Sequence, residues 1–390
     1  MSSTDDSSSS DDSGSVIAVN TPATSVHVRR LFDGMPPGVD RISVLPDEIL
    51  LYLLSFLPVQ DTVRTCVLAQ RWRHLWKSTT KLRIMGTKGP GSTNGKQPFH
   101  LDGLPFASRY LTTLSLYNVR LNGTFLDFSR CPTLEYLKLC SAGFNVSKMA
   151  LPSVKHLKIY RCRSFLDHRL RVSAPCLVSL ILDDFSGITT GERIFACITP
   201  LLEGMTLLET AFVNLCDSLH NTSQEICLRY RMCGVFCGTS TNDVRCVNCL
   251  HYNHGSSNTS VLLGAIYNAK HLKLISSSGM IIFTRDLKWC PTFKNLRNLL
   301  LNDYWCVGPD FNALSCILKH SPVLEKLTLQ LISEGKRPNV EMKGSYSPTE
   351  RSTVISQHLK IVDVKCYVVD EKVAKVLKFL CTLNLRFCFV

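Results

Sequence analysis

The sequence predicts an α/β chain in two parts. A small three-helix unit comes first, followed by a solenoid whose stacked strands form a curved parallel sheet with helices or irregular turns on its convex side. Three observations carry this prediction. A block near the N-terminus has helical periodicity, and a leucine-spaced hexamer recurs through most of the remaining chain. Breaks rich in Gly, Pro, Ser and Asp separate these regions.

Residues 1–38 read as a flexible head, Ser/Asp-rich and then Pro/Gly-rich (GMPPG), and the helical unit spans 40–84. In it Ile49, Leu50, Leu53, Leu54 and Leu57 recur at three- and four-residue steps, one face of a helix. Pro46 suits the first turn, Asp47 and Glu48 complement the positive end of the dipole, and Pro58 stops the helix. A second helix is expected from Asp61, burying Val63, Cys66 and Val67, and a third over Ala69–Trp76, anchored by Trp72, Leu75 and Trp76. Three helices this short make a weak core, and such a unit needs a partner to cover its remaining apolar face.

A linker at 85–98 (Gly, Pro, Thr, Asn) precedes the repeats, predicted over 99–340. The hexamer L-x-x-L-x-L or a close variant appears as LTTLSL from Leu111, LEYLKL from Leu134, VKHLKI from Val154 and LVSLIL from Leu177. It returns as a degraded LETAFV from Leu208, then AKHLKL from Ala269, LRNLLL from Leu296, LEKLTL from Leu324 and LKIVDV from Leu359. The early copies recur every 20 to 23 residues, the spacing of leucine-rich repeats. Each copy is a short strand with its apolar positions inward, and it buries that face only by stacking on its neighbours. Several copies follow a CPTL-like element in which proline ends the preceding turn (SRCPTLEYLKL, KHSPVLEKLTL).

Composition excludes several classes. With 390 residues, 45% hydrophobic and 19% charged, the chain can bury a sizeable core and is not wholly disordered. No stretch approaches the length of a membrane span, and the opening MSSTDDSSSSDDSGS lacks the basic-then-apolar order of a secretory signal, so cytoplasm and/or nucleus is expected. The net charge of +13 raises nucleic acid as a partner, but the basic residues are scattered, with no run of four.

The block RISVLPDEILLYLLSFLPVQDTVRTCVLAQRWRHLW (Arg41 to Trp76) resembles the F-box of plant F-box/leucine-rich-repeat proteins, in the branch that carries a C-terminal FBD segment. LPDEIL followed by LSFLP, and VRTCVLAQRWRHLW with its paired tryptophans, carry the resemblance. Gln70 departs from the Ser, Lys or Arg usual before Arg-Trp. Residues 354–390 open like an FBD segment (ISQHLKIVDVKCYVVDEKVAKVLKFL), whereas the tail CTLNLRFCFV departs from that pattern and reads as truncated.

The resemblance implies a non-catalytic receptor subunit of an Skp-cullin-F-box ubiquitin ligase. Its F-box docks an Skp-type adaptor, the adaptor binds cullin, and the repeats hold an unidentified protein substrate. By position in the motif, Leu45, Pro46, Ile49, Leu53 and Leu57 would supply the apolar adaptor-facing surface, with Arg71 and Trp72 supporting the helix-three side. The alternatives are an interaction scaffold outside ubiquitination and a basic nucleic-acid-binding solenoid. Candidate substrate-facing positions are the variable hexamer residues Thr112, Glu135, Lys158, Lys273, Lys326 and Thr328, several of them basic, which points to an acidic or phosphorylated target.

The sequence contains no phosphate-cradling glycine loop, nucleophile elbow or His-Glu-x-x-His. The 18 cysteines read chiefly as buried free thiols in apolar strand-like segments, among them Cys140, Cys162, Cys316 and Cys366. A Cys-rich insertion at about 229–255 pairs Cys233 with Cys237 and Cys246 with Cys249. It is read as a reduced loop with no cofactor, a structural zinc on those four thiolates being the alternative.

Overall fold

The computed structural model describes residues 45–67, 70–86, 98–102, 106–166, 169–189, 194–196, 199–215, 260, 262–276, 283, 286–306, 311–332, 340–346, 356–383 and 385–389. The chain divides into two units, residues 1–50 and 51–390. Helix α1, Asp47–Leu54, begins in the first: the N–H groups of Ile49 and Leu50 both donate to the Pro46 carbonyl, and Asp47 and Glu48 occupy the first turn. Helix α2 (Val59–Arg64) starts two residues before the expected Asp61 and tightens into a 3₁₀ turn at Thr65–Val67. Helix α3 is a single turn, Trp72–Leu75, continued as a 3₁₀ turn to Ser78.

Every quoted hexamer becomes a parallel strand, and each strand opens at or beside the hexamer's third position. In order they are Thr113–Tyr117, Tyr136–Cys140, His156–Ser164, Ser179–Thr189, Thr210–Leu215, His271–Ser276, Asn298–Asn302, Lys326–Leu331 and Ile361–Cys366, each hydrogen-bonded in parallel to the next. The chain repeats one device between units: the carbonyl of the second hexamer residue accepts two N–H groups from the following unit. Thr112 accepts from Glu135 and Tyr136, Glu135 from Lys155 and His156, and Arg297 from Glu325 and Lys326, all at 2.8–3.0 Å. Before most of these strands a tight turn closes on the hexamer's first residue, as where Leu134 N–H donates to Cys131 O at 3.1 Å. The CPTL-like elements supply these turns.

Inside, Leu134, Leu137 and Leu139 and their counterparts in the other units are fully buried in one continuous cluster. Each such leucine contributes about 1.5–3 kcal/mol of burial. The return segments of the early units differ from the expected helices or irregular turns. Phe125–Asp127, Lys148–Ala150, Arg171–Ser173 and Leu201–Glu203 form a second parallel sheet of four strands. Its Met149 and Val172 are buried in the same cluster. Helix α4, Asn312–Lys319, packs Leu314, Ile317 and Leu318 inward in a later unit. Cys316 therefore sits on a helix and not in a strand.

The array begins one unit earlier than the hexamers indicate. Lys81–Met85 pairs in parallel with Thr113–Tyr117, and Thr80 O accepts from both Thr112 and Thr113. This strand is tied back to α2, where Gln60 Nε2 donates to Met85 O at 2.7 Å and Pro58 bridges Arg83. At the other end, Val340–Tyr346 runs antiparallel between Ile361–Cys366 and Leu385–Phe389, so the CTLNLRFCFV tail supplies a strand. Helix α5, Glu371–Thr382, is capped by Asp370, whose Oδ1 accepts from Val373 N–H at 2.8 Å. Asp370→Ala is expected to cost about 1 kcal/mol in urea unfolding, because a helix-end donor loses its partner.

Ion pairs recur at the second hexamer position: Lys155–Glu135 and Lys270–Glu209 at 2.6 Å, and Arg297–Glu325 at 2.8 Å. All are solvated, so each contributes less than about 1 kcal/mol and serves register more than stability.

Among the described cysteines, Cys131, Cys140, Cys162, Cys306 and Cys366 are buried free thiols. Burial pushes the Cys162 thiol up to about 12, and Cys306 likewise. The unfolded chain releases these protons above its thiol pKa near 9 while the folded chain holds them. Stability is therefore complete below that value and falls as pH rises toward 12, by about 1.4 kcal/mol per pH unit per thiol. Chemical denaturation between pH 8 and 11 is expected to show this decline, made shallower by Cys162→Ala.

Candidate adaptor-docking and recognition surfaces

Helix α1 reads DEILLYLL, apolar on nearly every side after its acidic first turn. A helix with that pattern is fully covered in its working state. Leu50 and Leu54 are buried, but Tyr52 is 60% exposed, Leu53 45% and, in the turn that follows, Phe56 55%. The Tyr52 and Phe56 rings meet edge to face, centroids 4.9 Å apart. Val63 of α2 is also exposed, and Val67 is 87% exposed. These two valines were expected in the core. The short α2 instead buries Thr62, whose hydroxyl donates to Pro58 O at 3.0 Å, and turns its valines outward.

The residues expected to face an adaptor divide by exposure. Pro46, Leu53 and Arg71 are exposed, Ile49 and Leu57 half-buried, and Leu45 and Trp72 buried. Tyr52 and Phe56 are exposed apolar residues that the sequence did not single out, and Val63 and Val67, expected in the core, are exposed with them. The spacing of Tyr52, Leu53 and Phe56 was the available signal: they share one face, opposite Leu50 and Leu54, and a short helix that is apolar on both faces cannot bury both by itself.

The outward side of the main sheet is a second surface, ordered in rows by the register. One row runs Arg83, Ser115, Lys138, Lys158 and, beyond Ile181 and Phe212, Lys273. Arg83, Lys138 and Lys273 sit over aromatic rings of adjoining strands. Lys138 Nζ is 5.3 Å from the Tyr117 ring centre, and Lys273 Nζ is 4.7 Å from that of Phe212. Hydrogen bonding to Tyr117 raises the Lys138 pKa, keeping it charged. Lys158 is exposed, and Thr112, Glu135 and Lys273 are half-buried. Lys326 pairs with Asp363 at 2.8 Å, and Thr328 is buried.

Asn118 and Ser141, just past their strands, and Arg161 and Asp184, at bends inside two longer strands, share left-handed backbone, φ 51–54°. This repeated corner frames a cleft of about 550 Å³ lined also by Arg120 and Arg163. The Arg120 guanidinium lies 4.3 Å from the Phe165 ring centre. The four insertion cysteines Cys233, Cys237, Cys246 and Cys249 lie outside the described residues. Among the described residues no helix is long and apolar enough to cross a membrane.

The fold thus sets a short helical unit before a ladder of parallel strands, and in comparison with known proteins residues 42–83 match the F-box domain. The chain is similar to plant proteins that combine this domain with repeats. An F-box/LRR-repeat protein of Arabidopsis thaliana is 31% identical over 202 residues, 48% of this chain and 43% of the relative. A putative F-box/FBD/LRR-repeat protein of the same plant is 30% identical over 184 residues (43% and 40%), and an FBD-associated F-box protein 28% over 193 (45% and 46%). The match thus spans about half the length of these relatives. No solved structure matches the chain.

Proposed function

We propose that this chain is the substrate-recognition subunit of an Skp-cullin-F-box ubiquitin ligase, non-catalytic in itself. The F-box docks an Skp-type adaptor, which connects it to cullin. The array is a leucine-rich-repeat solenoid that holds the protein to be ubiquitinated. One observation carries the reading: the matched F-box keeps Tyr52, Leu53, Phe56, Val63 and Val67 exposed. Apolar side chains in this number on so small a unit favour a permanent protein partner, as at the core of an obligate interface. The array's contribution is proximity, placing a substrate beside the ubiquitin carrier that performs the chemistry.

The basic outward row and its aromatic neighbours support an acidic or phosphorylated substrate, bound by charge-assisted hydrogen bonds. The test is calorimetric titration of the full chain with an Skp-type adaptor, followed by ubiquitination of co-captured proteins in the complete complex. Submicromolar adaptor binding with ubiquitin transfer is expected. Absence of adaptor binding would overturn the reading, and binding without transfer to any captured protein would favour a scaffold.

A further inference from the structure

Cys290, Cys316 and His320 converge although 30 residues of sequence span them, and their ligand atoms all lie within 4.8 Å of one another. Among the described residues they are the one group of three His, Cys, Asp or Glu side chains placed to hold a metal ion. Cys290 follows the 3₁₀ turn Leu287–Trp289, in the connection before strand Asn298–Asn302. Cys316 and His320 stand one helical turn apart at the end of α4, in the next connection. We propose that this trio is a Cys₂His site for one zinc ion, which staples the two successive connections together.

The geometry needs little adjustment. Tetrahedral zinc with Zn–S near 2.3 Å and Zn–N near 2.0–2.1 Å places its ligand atoms roughly 3.5–3.8 Å apart. The three ligand atoms already lie within 4.8 Å of one another. The widest separation must close by about 1 Å, within reach of a χ1 adjustment of two half-buried cysteines.

The thiols give up little on binding. Cys290 Sγ contacts Pro291 O and Cys316 Sγ contacts Leu287 O, both at 3.7 Å, weak bonds for weak donors. His320 Nδ1 lies 2.8 Å from Cys316 O. In the tautomer that donates from Nδ1 to that carbonyl, Nε2 carries the free lone pair. A backbone carbonyl on the other ring nitrogen is the usual support of a metal-ligating imidazole. All three residues are half-buried, so an ion can enter from solvent and water can complete the coordination.

Soft thiolates with an imidazole select zinc over magnesium or calcium. Each ligand donates an electron pair, the two thiols release their protons to solvent, and no oxidant or reductant is needed.

The test uses the full chain, reduced and stripped of metal, titrated with Co²⁺ and then displaced with Zn²⁺. A thiolate-to-cobalt charge-transfer band is expected, and the Cys290→Ser/Cys316→Ser variant loses one equivalent of metal per chain. A second variant carrying Cys233→Ser, Cys237→Ser, Cys246→Ser and Cys249→Ser keeps that equivalent, which separates this site from the insertion. His320→Gln, which leaves both thiols in place, is expected to weaken binding by more than about tenfold. The proposal is overturned if the four-serine variant shows no thiolate band, or if His320→Gln binds metal as tightly as the natural chain. In either case His320 serves only as a cap on the Cys316 carbonyl.

Discussion

Phe56→Asp is expected to abolish capture of the Skp-type adaptor while the chain keeps its fold. The ring is 55% exposed, and among the described ring contacts it touches only Tyr52. Its loss from the free protein therefore costs at most about 1 kcal/mol, the worth of one aromatic pair with its partly covered area. In the complex the same position would bury a carboxylate against apolar partner surface, with a desolvation penalty of several kcal/mol. Hot-spot aromatics contribute about 2 kcal/mol or more, so the combined effect is a rise in Kd of about a hundredfold or greater. Calorimetry against the adaptor reads the affinity, and thermal melting of the free chain reads the fold. A Tm within a few degrees of the natural chain together with unchanged Kd would move the adaptor contact off this face. Lys158→Glu, on the outward sheet, should leave adaptor affinity untouched.

The largest effect on stability is expected at Asp286. Its carboxylate is fully buried, and Oδ2 accepts from the backbone N–H groups of Leu262 at 2.6 Å and Leu263 at 2.8 Å. Those two residues open a series of tight turns (Ala265 N–H to Leu262 O, Ile266 N–H to Leu263 O) that delivers Ala269 to the next strand. Asp286→Ala would leave both donors buried without this acceptor and open a small cavity. At about 1–3 kcal/mol for each orphaned donor, more for charge-assisted bonds, the total loss is about 3–5 kcal/mol. Asp286→Asn retains one acceptor oxygen and should lose roughly half as much. The shift of the urea midpoint measures both, and equal costs for the two substitutions would show that charge, not geometry, holds the turn.

The hexamers were legible because their chemistry is redundant. LEYLKL buries Leu134, Leu137 and Leu139 at the same positions that its neighbours use, and nothing but stacking satisfies all of them. The second sheet was not legible. Phe125–Asp127 and Lys148–Ala150 are three residues long, too short for an alternation to stand out, and their pairing depends on neighbours already in place. The strand Lys81–Met85 was hidden by its charges, since Lys81 and Arg83 face outward in a five-residue segment.

In the F-box, periodicity located α1 but could not say which leucines the unit covers by itself. Leu53 is exposed while Leu50 and Leu54 are not, a distinction set by packing and not by spacing. Asp286 gave no signal at all, because a carboxylate that closes a turn over 23 residues away looks like any loop aspartate until the chain is folded.

Thr210–Leu215 and His271–Ser276 are joined by six register pairs. The ladder thus closes directly between two strands that stand far apart in sequence. A cut in the intervening chain is expected to leave two fragments with matching unsatisfied strand edges, each the natural template for the other, and co-purification of the two fragments measures their reassembly.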